Sequence, residues 1–239
     1  MHLLAFELST EACSVAVWSD GAVRARHEVA PRRHAELALP WAEALLAEAG
    51  LARAQLDAIA VGRGPGAFTG VRLGISIAQG IALALDRPMV PVSTLAVLAR
   101  GAHDGAPARV LAAIDARMHE VYAGAFALDA AGHVMALDAE RVAAPDAVAL
   151  PPGAPGDAPW RGVGTGFAAG QGALAQALAG QLVVHDAAAL PHAADLAALA
   201  AEAFTRGGAV APEAVEPAYL RNQVALTIAE QQALRDARG

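Results

Sequence analysis

The order of apolar and polar positions divides the chain into short strands and amphipathic helices from its first residues onward. Residues 3–8 form an apolar run broken only by Glu7, which predicts a short buried strand, and 13–19 predict a second after Ser9-Thr10-Glu11-Ala12. Asp20-Gly21 is a strong turn pair, and 23–29 alternate apolar residues with Arg24, Arg26 and Glu28, so the chain opens as a three-stranded meander. Leu37, Trp41 and Leu45 then recur every four residues, with Glu36, Glu43 and Glu48 on other faces and Gly50 as terminator, which predicts an amphipathic helix over 34–49. Ala58–Gly62 reads as a strand running into the glycine-rich loop 63–70, and a second helix is expected over 71–85 until Asp86-Arg87-Pro88 ends it.

Met89–Val92 predicts a strand and 93–101 a helix, followed by the turn-rich His103-Asp104-Gly105-Ala106-Pro107, where a lobe boundary is expected: 1–105 and 106–239. Strands at 109–114, 121–126 and 134–138 repeat the opening meander. The Pro/Gly-dense segment 151–159 reads as a loop and 160–164 as a strand, and helices at 170–179 and 193–206 complete the second lobe. The polar tail 227–239 is expected to fray.

Between Leu73 and Leu85 the second helix has no charge, and Gly74, Ser76, Ala78, Gly80, Ala82 and Ala84 are spread around its circumference. A helix without a polar face needs cover on nearly all sides. Its own sheet covers one side; the rest of the chain or a partner must cover the other. This uncharged stretch is shorter than the ~20 residues that span a bilayer, so no membrane association is expected.

Composition narrows the chemistry. The 239 residues exceed a typical single core of about 100–150 residues, and 56% are apolar, so one large domain or two lobes can bury a substantial core. The net charge of −7 argues against strong autonomous binding to nucleic acid. All 17 basic residues are arginine, which excludes a Walker lysine and Schiff-base chemistry. One cysteine, Cys13, excludes an internal disulfide, and the first residues lack a signal-peptide pattern, so a cytoplasmic protein is expected.

Three features are candidates for chemistry. The loop 62–70 can cradle an anion on backbone N–H groups, with Gly64, Gly66 and Thr69 as its contacts, or can be a tight turn. Glu7 can hold a magnesium-linked water or cap a turn. Asp115 and Arg117 form a substrate contact or a structural ion pair, the latter favoured. The eight histidines show no metal-ligand spacing and read as surface or turn residues.

Ser9-Thr10-Glu11-Ala12-Cys13-Ser14-Val15-Ala16, the run 61–72 (Val-Gly-Arg-Gly-Pro-Gly-Ala-Phe-Thr-Gly-Val-Arg), Ile114-Asp115-Ala116-Arg117-Met118, Glu120-Val121-Tyr122 and the stretch 216–222 (Glu-Pro-Ala-Tyr-Leu-Arg-Asn) resemble the TsaB (YeaZ) family, in order along almost the whole chain. The resemblance implies an α/β fold of the actin-like (ASKHA, ribonuclease H-like) two-lobed kind. It implies a non-catalytic subunit, without catalytic residues, that heterodimerises with the catalytic paralogue TsaD, recruits TsaE, and supports N6-threonylcarbamoylation of adenosine 37 in tRNAs reading codons that begin with A. No cofactor is expected of its own: ATP with magnesium and the metal belong to the partner subunits. The paralogue's His-x-x-x-His ligand positions fall here on Thr94 and Leu98, and Glu7 stands where the family more often has aspartate.

By the same resemblance, the helices at 34–49 and 70–85 dock on TsaD through Leu37, Trp41, Leu45, Gly70, Val71, Gly74, Ile75, Ala78 and Ala82. The same surface supports a homodimer when the chain is alone, tRNA is met through the complex, and the last segment packs back on the first lobe. The rival of another class is an independent ATP-binding enzyme of the same fold using Glu7 and loop 62–70; a peptidase lacks a metal pair and a nucleophile with its base.

Overall fold

The computed structural model describes residues 1–152 and 160–221; most of the Pro/Gly segment, Asn222 and the tail 227–239 lie outside the described residues. Strands β1 (His2–Glu7), β2 (Ala12–Ser19) and β3 (Ala22–Val29) form the opening meander, and α1 (His34–Glu48), β4 (Ala58–Gly62), α2 (Phe68–Leu85) and β5 (Met89–Val92) follow. Their sheet has the order β3-β2-β1-β4-β5. The first three strands are antiparallel, while β4 runs parallel to β1 and β5 parallel to β4. Phe6 stands opposite Val15 on one side and Val61 on the other, which aligns the apolar rows.

After α3 (Thr94–Arg100) the pattern recurs. Strands β6 (Ala108–Arg117), β7 (Glu120–Leu128), β8 (Val134–Ala136), β9 (Arg141–Ala143) and β10 (Trp160–Val163) are followed by α4 (Ala169–Ala177), β11 (Leu182–Asp186) and α5 (Ala193–Thr205). The second sheet has the order β8-β7-β6-β10-β11, with β9 also on β7. Again an antiparallel meander is extended by two parallel strands. The strands β9 and β11 have no counterpart in the sequence expectations, and α4 is a shorter helix than expected because Gly170, Gln171 and Gly172 all have positive φ.

The elements stack in layers. On one face of the first sheet, Leu4, Phe6, Val15 and Val17 pack against Ala38, Ala42, Leu45 and Leu46 of α1 and Val71, Ile75, Ala78 and Ala82 of α2. On its other face, Leu3, Ala5, Ala16, Ala58 and Val90 pack against Leu196, Ala197 and Ala200 of α5. This corrects the expectation that the last helix completes the second lobe. Its apolar positions cover more than one face, so α5 suits a layer between sheets better than a surface.

Helix α3 joins this middle layer, setting Leu95, Leu98 and Ala99 on Val110, Ala112, Ile114 and Phe126 of the second sheet. Ser93 caps it, its Oγ accepting from the N–H groups of Leu95 and Ala96. The outer face of the second sheet, with Leu111, Ala113 and Trp160, is closed by Phe167 and Leu174.

Candidate functional site: the cleft between the lobes

A cleft of about 760 Å³ opens where the β1–β2 turn, the start of α2, the β6–β7 hairpin and residues 165–169 meet. Residues 217–221 run along it. This last segment is a strap whose regular structure is one 3-10 turn, Pro212–Ala214. It leaves the first sheet at the Val210–Met89 bridge, passes α2, where Gln79 Nε2 donates to the carbonyl of Pro212 at 2.8 Å, and is held at the glycine loop by Ala218 N–H on the Arg63 carbonyl at 2.8 Å. It ends on the second lobe: Arg221 Nη2 donates to Glu120 Oε2 at 2.6 Å and to the Ala116 carbonyl at 3.1 Å, and Nη1 to Met118 Sδ.

Of the anion-loop candidates, the cleft receives Gly66 but not Glu7, Gly64 or Thr69. Glu7 is 1% exposed. Its carboxyl accepts from Ser9 N–H at 2.9 Å and from the Thr94 hydroxyl at 3.3 Å. Burial pushes this carboxyl up from its ordinary value, and the Ser9 and Thr94 hydrogen bonds oppose the shift. Of the two roles open to Glu7, the bond from Ser9 N–H is that of a turn cap, and a side chain sealed in this way is not placed to meet magnesium or a phosphate.

The glycines of the loop have a packing reason. A Cβ at Gly62 would run into the Glu7 carboxyl, one at Gly66 into the Ser9 carbonyl, and one at Gly70 into the Leu8 carbonyl. Gly64 has φ +90°, which favours glycine. The loop is thus a close contact between β4–α2 and the β1–β2 turn, secured by Ala67 N–H on the Ser9 carbonyl at 2.7 Å.

Asp115 and Arg117 pair within the β6–β7 turn: Arg117 Nη1 and its own N–H donate to the two Asp115 carboxylate oxygens, both at 2.8 Å. Arg117, Met118 and His119 all have φ near +60°, a run of left-handed non-glycine residues that the Asp115 and Arg221 contacts brace. Among the described residues, the cation of the cleft with neutral partners is Arg72. Its guanidinium stands 3.2 Å from the Phe68 ring centroid and 5.0 Å from that of Tyr219, donating to the Phe68 carbonyl at 3.0 Å and to the Tyr219 hydroxyl at 2.6 Å. Sequence reasoning missed this cluster, although the 216–222 stretch that carries part of the resemblance was the available signal.

The expected docking residues come together, but inward. Val71, Ile75, Ala78, Ala82 and Leu45 are at most 4% exposed and sit in the first sheet's core, with Leu37 and Trp41 packed beside them. Gly70 lies against Leu8, and Gly74 faces Leu8 and Val61. The outer surface of the helix pair is built from other residues: Leu39 and Leu83 are exposed, and Leu39, Gly80, Ile81, Ala84 and Leu85 line a shallow apolar groove of about 280 Å³ between α1 and α2. The reason is the helical period: the row 71-74-75-78-82 that reads as a seam is the row the sheet claims.

His34 is buried rather than solvated, its Nε2–H shared by the Thr10 and Ala12 carbonyls at 3.0 and 3.2 Å. His27 stacks on His192 with ring centroids 4.5 Å apart. Among the described residues no three His, Cys, Asp or Glu side chains converge as a metal site.

Two sheets of the same connectivity with helices between and outside them, and a cleft bridged by the chain's own strap, define an actin-like α/β protein. The sequence profile of the family described as TsaD, tRNA N6-adenosine threonylcarbamoyltransferase, matches residues 26–229. The chain is 43% identical to the tRNA threonylcarbamoyladenosine biosynthesis protein TsaB of Escherichia coli (strain K12) over 94% of its length and 96% of that protein's. It is 38% identical to the TsaB of Haemophilus influenzae over 94% and 95%. A Pseudomonas aeruginosa crystal structure, described as an uncharacterized protein with similarity to peptidase YEAZ, superposes with a TM-score of 0.84 at 48% identity, covering 92% of this chain and 99% of the other. The chain belongs to the TsaB family.

Proposed function

We propose that this chain is the non-catalytic scaffold subunit for threonylcarbamoylation of adenosine 37 in tRNA, pairing with TsaD, recruiting TsaE and working in the cytoplasm. ATP with magnesium and the metal belong to those partners. Family membership supports the pathway, because the relatives are named for threonylcarbamoyladenosine biosynthesis.

The observation that carries the scaffold role is α2. By length and composition its 18 residues are apolar enough to cross a membrane, and its inner row is sealed on the chain's own sheet, yet only a third of it is buried. The remaining surface, with Leu83 beside the groove of Leu39, Gly80, Ile81 and Ala84, is what a partner helix pair covers. A non-catalytic role is supported by Glu7 lying sealed in the core and by the ligand positions of the paralogue being a buried Thr94 and Leu98.

The test is threonylcarbamoyladenosine formation on tRNA by TsaD, TsaE and the adenylate-forming enzyme, with and without this chain. Modification that depends on its addition, with no activity by the chain alone, is the expected result. Modification that proceeds equally without it removes the reading, and tight magnesium-dependent ATP binding by the isolated chain would put the ATP-binding enzyme in its place.

A further inference from the structure

The mouth of the interlobe cleft carries an aromatic and cationic surface that a scaffold does not require. Phe68 and Tyr219 are 71% and 57% exposed, and Met118 is 69% exposed on the hairpin that Arg221 grips. These are three of the nine large exposed apolar or aromatic side chains among the described residues; Phe68 and Tyr219 line the cleft itself, and Met118 sits on the hairpin whose Arg117 also lines it. Arg72, set over Phe68 and hydrogen-bonded to Tyr219, holds both rings in place while most of Phe68 stays in solvent.

We propose that this mouth takes one unpaired nucleotide of an RNA loop, its base stacked on Phe68 and Tyr219 and its phosphate beside Arg72. The proposal rests on the reading that the chain serves tRNA modification. Aromatic faces stack on any unpaired base, and single-stranded loops are where RNA offers such bases. The cleft behind the rings has room for a nucleotide, and Thr10 and Thr165 are among the polar residues that line it.

Charge selects the ligand further. Arg117 is neutralised by Asp115 and Arg221 by Glu120, and Glu11 adds a negative charge to the lining. Arg72 has only neutral hydrogen-bond partners among the described residues, so its guanidinium is the cation of the lining that no carboxylate holds there. One guanidinium matches one phosphodiester. A magnesium-bound triphosphate needs several cationic or N–H donors for its charge, and Arg72 is the one guanidinium of the lining that no carboxylate holds among the described residues. The net charge of −7 means that this contact adds to an RNA surface supplied by the partner rather than replacing it.

The test uses the full chain and a hairpin RNA carrying 4-thiouridine in its unpaired loop, cross-linked by light and mapped by mass spectrometry, with affinity read by fluorescence anisotropy at low salt. Cross-links are expected in the peptides holding Phe68 and Tyr219. Phe68→Ala with Tyr219→Ala, both exposed and so expected to leave the circular dichroism spectrum unchanged, weakens loop binding about tenfold or more. Arg72→Met lowers the salt dependence by about one phosphate contact. A blunt duplex bound as well as the hairpin, unchanged binding by the double variant, or adenosine 5′-monophosphate bound as tightly as the hairpin would each overturn the proposal. Loop binding is measured without modification chemistry. A chain that binds the loop but does not support threonylcarbamoylation loses only its proposed function, and one that supports modification without touching the loop loses only this contact.

Discussion

Asp195 shows how a single side chain records its position in the layered fold. It stands in the first turn of α5 beneath α3, and burial pushes its carboxyl up to about 6, with Arg100 opposing the shift. The ordinary carboxylate value is about 4, so the folded chain holds a proton that the unfolded chain releases between about pH 4 and 6. The sign follows: this group's contribution to stability is fully present below about pH 4 and is lost as pH rises through about 6. Asp195→Asn removes that loss. Urea unfolding at pH 8 is expected to find the variant about 1–2 kcal/mol more stable than the parent, with the two equal near pH 4. A variant less stable at pH 8 would mean that the attraction of Arg100 and the helix N-terminus outweighs the burial. The stacked His27 and His192, both lowered by burial, have the opposite sign: they lose stability as pH falls below their ordinary range, and because both proteins carry them they cancel in the comparison. Little of this was legible in the sequence. Glu7, Asp195 and His34 are ordinary polar letters until two distant segments close over them, and the loop glycines invited a phosphate reading because the carbonyls of Leu8 and Ser9 that they accommodate are more than fifty residues away in the chain.

At the scale of elements, periodicity carried most of the information. The strands Ala58–Gly62 and Met89–Val92 have the bounds that their apolar runs define, and α1 ends within a residue of the expected position. Helix α2 starts at Phe68 rather than near 71, because Gly70 serves a close helix–strand approach inside the first turn instead of ending the loop. Which face of α2 meets the sheet could not be settled from its composition, since small and apolar residues occur all round it. The structure turns that ambiguity into a paired prediction. Leu83→Glu, on the exposed row, is expected to leave the melting curve nearly unchanged and to weaken the proposed pairing with TsaD about tenfold or more in an affinity measurement. Ala78→Glu, in the fully buried row, places a charge in the first sheet's core and is expected to destabilise the chain itself by about 3 kcal/mol or more. If Leu83→Glu pairs with TsaD like the parent, the docking face lies elsewhere.

For the molecule as a whole, the repeated meander announced two similar halves, and the two sheets do share one connectivity. What the linear order concealed is that the halves exchange cover: α3, from the first half, closes the second sheet, and α5, late in the chain, closes the first. Sequence neighbours suggested otherwise because apolar pattern reports that a face is buried, not against what. The strap after α5 completes the exchange. It is fastened to the first lobe by the Val210–Met89 bridge, Gln79 and the Arg63 carbonyl, and its last described residue reaches the second lobe through the Arg221 guanidinium. Arg221 therefore braces a hairpin whose three left-handed residues cost conformational energy. Arg221→Ala removes the ion pair with Glu120 and the hydrogen bond to Ala116, a global loss of about 1 kcal/mol for so partly exposed a site. The local effect is larger in kind: amides of residues 116–122 are expected to exchange hydrogen faster, while those of α1, on the far side of the first sheet, keep the parent's rates. Uniformly faster exchange would show that Arg221 supports the whole fold. No change at the hairpin would show that Asp115 alone suffices to hold the turn, and the strap would then have no part in setting the cleft.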